Sequence, residues 1–138
     1  MWDLQTEIIS IADACLGGLR RRSALLIGPQ EARQPYKALL QEAGVTDIFQ
    51  EEDYARVTTL LPQVQLLLNM PEQSTPPLLT AGRIAGGCTG RRAPLLIFDL
   101  APETSVEELA GLLPAVCLYT PTDLRHVLRT THIGTHIA

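Results

Sequence analysis

Aromatic side chains make up only 4% of this 138-residue chain, so its core must be assembled from leucine, isoleucine, valine and alanine within a hydrophobic fraction of 46%. Cysteine is scarce as well. Cys15, Cys88 and Cys117 are odd in number, widely spaced and without a CxxC pair, which excludes a disulfide framework and fits buried or incidental thiols in a reducing compartment. Positive charge is in deficit: 11 Lys and Arg stand against 15 Asp and Glu, a net charge of −4, so nucleic acid is not expected as a direct partner. The clusters Arg20-Arg21-Arg22 and Arg91-Arg92 read as solvated turns flanking strands. No apolar run approaches the roughly 20 residues of a membrane span, and the amino terminus lacks the basic-then-apolar order of a signal peptide. The expectation is a cytoplasmic chain without a membrane partner. GxSxG, HExxH and GxxxxGK[ST] are all absent, which removes the common hydrolase, zinc-protease and P-loop readings.

What the chain does have is a regular alternation of periods. Leu4, Ile8, Ile11, Ala12, Cys15 and Leu19 recur at helical spacing, predicting an amphipathic helix over residues 3–16 that Gly17-Gly18 ends. Five short apolar runs follow, each a strand: 23–27, 45–50, 64–69, 94–100 and 116–119. Helical segments are expected between them, at 36–43 closed by Gly44, at 53–61 and at 78–85. Thr104 to Glu107 and Thr120 to Asp123 have capping-box spacing, opening short helices to Leu112 and Leu128. MPEQSTPP is a loop, since its three prolines forbid a ladder or a helix interior. Strands that are apolar throughout are buried on both faces, and alternation with helices makes them parallel. The fold class is therefore α/β: one domain over 1–138, a doubly wound (Rossmann-like) parallel five-stranded sheet with helices on both faces. A leading helix lies within 1–20, and 130–138 is a loose tail.

Ligands of such sheets bind beyond the carboxyl ends of the strands. Those ends carry Gly28, Gln50-Glu51, Asn69-Met70, Asp99-Leu100 and Tyr119-Thr120. The first is the most telling, because LLIGPQEAR (25–33) begins like a dinucleotide fingerprint and then runs out of glycine. The fingerprint needs glycine for a tight turn, for approach of the pyrophosphate and for helix–strand packing. Here those places hold Gly28, Gln30 and Arg33. Pro29 removes a backbone N–H from the rim, Pro35 disturbs the first helical turn, and Glu31 adds a charge that suits the helix dipole but repels phosphate. After the second strand, Glu51-Glu52-Asp53 oppose a 2′-phosphate, or else form a solvated acidic helix start. On pattern alone an intact site, a worn site and a plain strand–turn–helix corner all stay open.

Other candidates are weaker. His132 and His136 are four apart, but Gly134 stands between them and no carboxylate or cysteine lies near, so no metal is expected. Cys88, in the turn GGCTGRR, is the one thiol expected to be exposed. Asp99 and Tyr119 have the positions for a proton donor at the strand ends, although an aspartate there commonly caps the next turn. No catalytic residue is assigned.

The run SIADACLGGLRRRSALLIGPQEA resembles the opening of the nucleotide-binding domain of the glutamyl-tRNA reductase family, in which a helix leads through a basic turn into a strand and a G-A-G-E-M turn. Ile27, Gly28 and Glu31 fall on matching positions. APLLIFDLAPETSVEELAGLLPAVCLYTPTDL is similar to that family's strand, D-L-A-x-P turn, acidic helix and V-x-L-Y-x-x-D-D-L segment, through Asp99, Leu100, Ala101, Pro102, Val116, Leu118, Tyr119, Asp123 and Leu124. LLLNMPEQSTPPLLT resembles the strand and polar loop between them. The resemblance implies an NADPH-binding fold from an enzyme that reduces tRNA-bound glutamate to a semialdehyde, at the start of tetrapyrrole (heme and siroheme) synthesis. It places cofactor contacts at Gly28, Gln30, Glu31, Asn69, Met70 and Asp99.

The departures from that family are as informative. Its second glycine is Gln30, its asparagine–arginine–threonine turn after the second strand is Glu51 to Asp53, and its arginine after the fourth-strand turn is Glu103. Each change removes a phosphate partner or adds repulsion, together about two to three decades of affinity. Neither the family's cysteine-bearing catalytic domain nor its helical dimerisation domain is expected in these 138 residues. The reading is a stand-alone homologue, non-catalytic alone, with no cofactor or only weak NADP(H). The alternative is an interaction or dimerisation module that docks a second copy, or a separate catalytic subunit, through the Leu4–Ile8–Ile11–Cys15 face.

Overall fold

Each apolar run is long enough for one short strand, and in this computed structural model the five lie side by side. The structure describes residues 4–71 and 79–127. Most of the proline-rich loop, the 130–138 tail, His132 and His136 lie outside the described residues.

The elements run α1 (Leu4–Leu16), β1 (Ser23–Ile27), α2 (Gln30–Glu42), β2 (Asp47–Glu51), α3 (Val57–Leu60), β3 (Leu66–Asn69), α4 (Ala81–Gly87), β4 (Leu95–Asp99), β5 (Val116–Tyr119) and a helix α5 over 121–127. All strand pairs are parallel, in the order β2-β1-β3-β4-β5. This is the doubly wound, Rossmann-like sheet expected from the alternation. Its two faces explain the continuous apolar strands. Ala24, Leu26, Leu66, Leu68, Leu96 and Phe98 pack under α1 and α2 with Ile8, Ala12, Tyr36 and Leu40. Leu25, Ile27, Leu67, Leu95 and Ile97 face the other way, onto Val57, Leu61, Ile84 and Val106. The inner strands β1, β3 and β4 expose almost nothing on either face and so need no polar residues there, whereas the edge strands β2 and β5 are only partly buried.

α1 spends most of its apolar stripe internally. Ile8, Ile9, Ala12 and Leu16 are buried, whereas Leu4 and Cys15 are exposed. The chain leaves the helix through Gly17 and Gly18 at φ +69° and +113°, backbone that glycine adopts without penalty. The basic clusters are less solvated than their composition suggests. Arg22 donates to the carbonyls of Leu16 and Gly18 at 2.7 and 3.3 Å, satisfying acceptors at the C-terminal end of α1. Arg91 donates to the carbonyls of Leu61, Val64 and Ala93.

Four helical segments differ from the sequence expectation. α2 begins at Gln30 rather than 36 and carries Pro35 inside it without a break, because a proline this near the helix start removes an N–H from close to the uncapped first turn. α4 runs Ala81–Gly87 rather than 78–85. The segment 53–61 is helical only from Val57 to Leu60, followed by a 3-10 turn at Leu61–Gln63. Asp53 turns back on the Ala55 N–H (2.9 Å) and the Tyr54 phenol is held by Asn69 (2.6 Å), so the chain reaches α3 already bent. After β4, Thr104 and Glu107 do not form a capping box. The Ser105 and Val106 amides turn inward to Asp99, and residues Glu108–Leu112 form a 3-10 turn. The Glu107 carboxylate accepts instead from the Ala81 N–H at 2.8 Å, capping α4 alongside Thr80, whose hydroxyl accepts from Arg83 N–H at 3.2 Å. The second box does form: Thr120 and Asp123 exchange backbone-to-side-chain bonds of 3.0 Å each. Replacing Glu107→Ala removes a cap supplied by a distant segment, and urea unfolding should show a loss of about 1 kcal/mol.

Candidate functional site at the carboxyl rim of the sheet

Strand order reverses beside β1: the chain goes first to β2 on one side and then to β3 on the other. The rim above β1 and β3 is therefore the switch point where this architecture seats ligands. Gly28 sits there, buried, at φ +149°. A Cβ at this position would collide with the Met70 carbonyl oxygen. Gly28 N–H donates to the Glu51 carbonyl at 3.0 Å, and Met70 N–H to the Ile27 carbonyl at 2.7 Å. The end of β1 is thus wedged between its two neighbours, and glycine alone fits the wedge.

Pro29 opens α2 with no side-chain cap, and Gln30 and Glu31 are exposed on its first turn. The structure adds a residue that the motif only marked as a mismatch. Arg33 is buried, 8% exposed, and lies over the ends of β1 and β2. Its Nε donates to the Gly28 carbonyl and its Nη1 to Gln50 Oε1, both at 2.8 Å, with Nη2 3.6 Å from Glu52. Glu51 pairs with Arg56 at 3.4 Å. The acidic run after β2 is therefore partly answered by this chain's own cations.

On the other side of the switch point, Asn69 and Asp99 are fully buried. Asp99 Oδ2 accepts from the amides of Ser105 and Val106 at 2.7 and 2.8 Å, and Oδ1 from Ala101 at 3.3 Å. The Asn69 amide reaches Asp99 at 3.5 Å while its carbonyl oxygen takes the Tyr54 hydroxyl. This is the turn-capping role for Asp99, with its oxygens already committed to backbone. Tyr119 does not join it. Its ring stacks on Phe98 with centroids 4.9 Å apart, and its hydroxyl meets Cys15 Sγ at 3.4 Å. Asp99 and Tyr119 are thus not gathered into one reactive constellation.

Between the amino-terminal ends of α1 and α2 and the ends of β3 and β4 lies an open cleft of about 390 Å³, lined by Pro29, Glu31, Ala32, Met70, Leu100 and Pro102. Of the residues expected to contact a cofactor, Glu31 and Met70 line this cleft, Gly28 and Gln30 flank its Pro29 in sequence without lining it, and Asn69 and Asp99 are buried with their polar atoms engaged by one another, Tyr54 and backbone amides. The thiols reverse expectation: Cys15 and Cys117 are exposed and Cys88 is half-buried. β5 is an edge strand, so its α1-side face is only partly covered, and burial raises the thiol pKa of both Cys88 and Cys117. Tyr54 was invisible to motif reading, since nothing in its neighbourhood signals that its phenol reaches the third strand. Arg33 did have a signal, as a long side chain where close packing calls for glycine.

No family model matches the chain. Its sequence is 26% identical to a glutamyl-tRNA reductase from Idiomarina loihiensis over 139 aligned residues, covering 87% of the chain and 33% of the relative. A second glutamyl-tRNA reductase, from Methanospirillum hungatei, is 56% identical over 36 residues, 26% of this chain and 8% of the relative. The solved glutamyl-tRNA reductase of Methanopyrus kandleri superposes with a TM-score of 0.77 over 93% of this chain and 37% of that one, at 19% identity. The chain is similar to glutamyl-tRNA reductase over most of its length. It spans about a third of the length of the first relative. The structural likeness establishes the fold.

Two phenols at the rim carry a pH signature. Burial raises the Tyr54 pKa to about 12, the Asp99 carboxylate adding to it and hydrogen-bonding neighbours opposing it. The Cys15 hydrogen bond, then burial, raises Tyr119 to about 12 as well. Both folded values lie above the unfolded value of 10.0, so the folded state favours the neutral phenol. That stabilisation is complete below pH 10 and is lost as pH rises through about 12. Urea midpoints should fall over this window, and Tyr54→Phe should flatten the fall.

Proposed function

We propose that this chain is a homologue of the NADPH-binding region of glutamyl-tRNA reductase, acting in tetrapyrrole biosynthesis, without catalysis of its own and with weakened cofactor affinity. The observation that carries this reading is the turn after β1. Its fold and surroundings match a nucleotide-binding corner, yet Gln30 and Arg33 stand where glycine admits a pyrophosphate and close helix packing. The residues do not fit a bound dinucleotide as they stand, because a buried guanidinium lies over β1 and β2, Pro29 contributes no N–H, and Glu31 faces the same turn. Sequence similarity to one glutamyl-tRNA reductase across 87% of the chain supports the family part of the reading. Its transfer to tetrapyrrole synthesis rests on those relatives' name. Calorimetric titration with NADPH should give a dissociation constant weaker than about 100 μM, two decades above a micromolar site. A micromolar constant would contradict the weakened-site reading.

A second reading, a docking module, draws on exposed apolar residues. Leu109 and Leu112 are 61% and 80% exposed beside edge strand β5, and Leu4 is 41% exposed on α1. A partner covering either patch would be a second copy or a separate catalytic subunit. Light scattering across roughly a hundredfold range of concentration should show a mass that rises toward a dimer if the partner is a second copy; a constant monomer mass removes that version.

A further inference from the structure

We infer that Arg33 is an internal plug for the adenosine half of the crevice, leaving only the half above β3 and β4 open to ligand. This rests on the weakened-cofactor reading and assigns its main cause to one side chain. In a doubly wound sheet the pyrophosphate lies over the turn after the first strand and the adenosine ribose reaches the end of the second. Arg33 bridges those two places. Nε binds the Gly28 carbonyl just beyond β1 and Nη1 binds Gln50 in β2, while Nη2 points at Glu52 past the end of β2. The register sets Leu26 beside Gln50 and Ile27 beside Glu51, so these acceptors lie on adjacent strand ends.

The plug is held in by its chemistry. A planar guanidinium with two fork nitrogens satisfied at 2.8 Å has little freedom. It is buried, and expelling it strips the Gly28 carbonyl of a buried donor. Glu52, exposed on the rim 3.6 Å from Nη2, adds a negative charge that repels an arriving phosphate. The open cleft between Pro29, Met70, Leu100 and Pro102 has no such occupant among the described residues. The crevice is therefore asymmetric, and ligands representing its two halves should distinguish the two sides.

The full chain and Arg33→Gly are titrated with ADP-ribose, for the adenosine half, and with nicotinamide mononucleotide, for the other, by amide chemical-shift mapping. Arg33→Gly should bind ADP-ribose at least about tenfold more tightly than the unaltered chain and leave nicotinamide mononucleotide affinity within about twofold. Equal or weaker ADP-ribose binding by the variant overturns the plug, and weaker binding marks Arg33 as a ligand instead. Micromolar NADPH binding by the unaltered chain sinks the weakened-site reading, whereas equally weak ADP-ribose binding by both proteins sinks the plug alone. If Arg33→Gly does not fold, Gln50→Ala loosens the same guanidinium, and it should gain at least about threefold for ADP-ribose; no gain again overturns the plug.

Discussion

The carboxylate of Asp99 organises the rim of this sheet. It ends β4, a strand buried along its whole length, and accepts amide hydrogen bonds from Ser105, Val106 and Ala101, with Asn69 alongside. A charge buried this deeply is tolerable only when its lone pairs are filled, and backbone amides fill them at fixed geometry. Because residues 105 and 106 are drawn inward, Val106 pairs with Leu79 and Glu107 is delivered to the start of α4. One buried anion thus sets the path of the loop after β4 and the entry of a helix that precedes β4 in sequence.

The same rim sets a strand–turn–helix corner of nucleotide-binding shape among carboxylates. Helix α2 begins just beyond β1, and the dipole of a helix start favours an anion. Around that start, however, stand Glu31, Glu51 and Glu52, and the nearest buried cation is already engaged with backbone and side-chain oxygens. Favourable helix geometry and unfavourable side-chain charge now compete at one spot, and the side chains have the larger charges and the occupied volume.

Much of this was legible in the residues. The five apolar runs specify the strands because period-free hydrophobicity of that length has one common solution, a parallel strand between two helical layers. Thr120 to Asp123 read correctly as a capping box because both partners are local. Thr104 to Glu107 has the same spacing and failed, because Asp99 from the preceding strand competes for the amides and α4 competes for the glutamate. The turn after β1 announced its departure from glycine, but sequence spacing cannot say where a long side chain such as that of Arg33 comes to rest. Tyr54, Asn69 and Asp99 come from three different segments, and their meeting depends on strand order. The exposure of Cys15 and Cys117 depends likewise on β5 being an edge.

Gly28 is the single glycine of the fingerprint that this chain retains, and the geometry gives it an employment independent of any guest. Any side chain there would strike the Met70 carbonyl, so β1 and β3 could not close at the rim. Such a residue would be held in place by folding alone. Its presence testifies to how tightly two neighbouring strands are drawn together, and carries no testimony about phosphate.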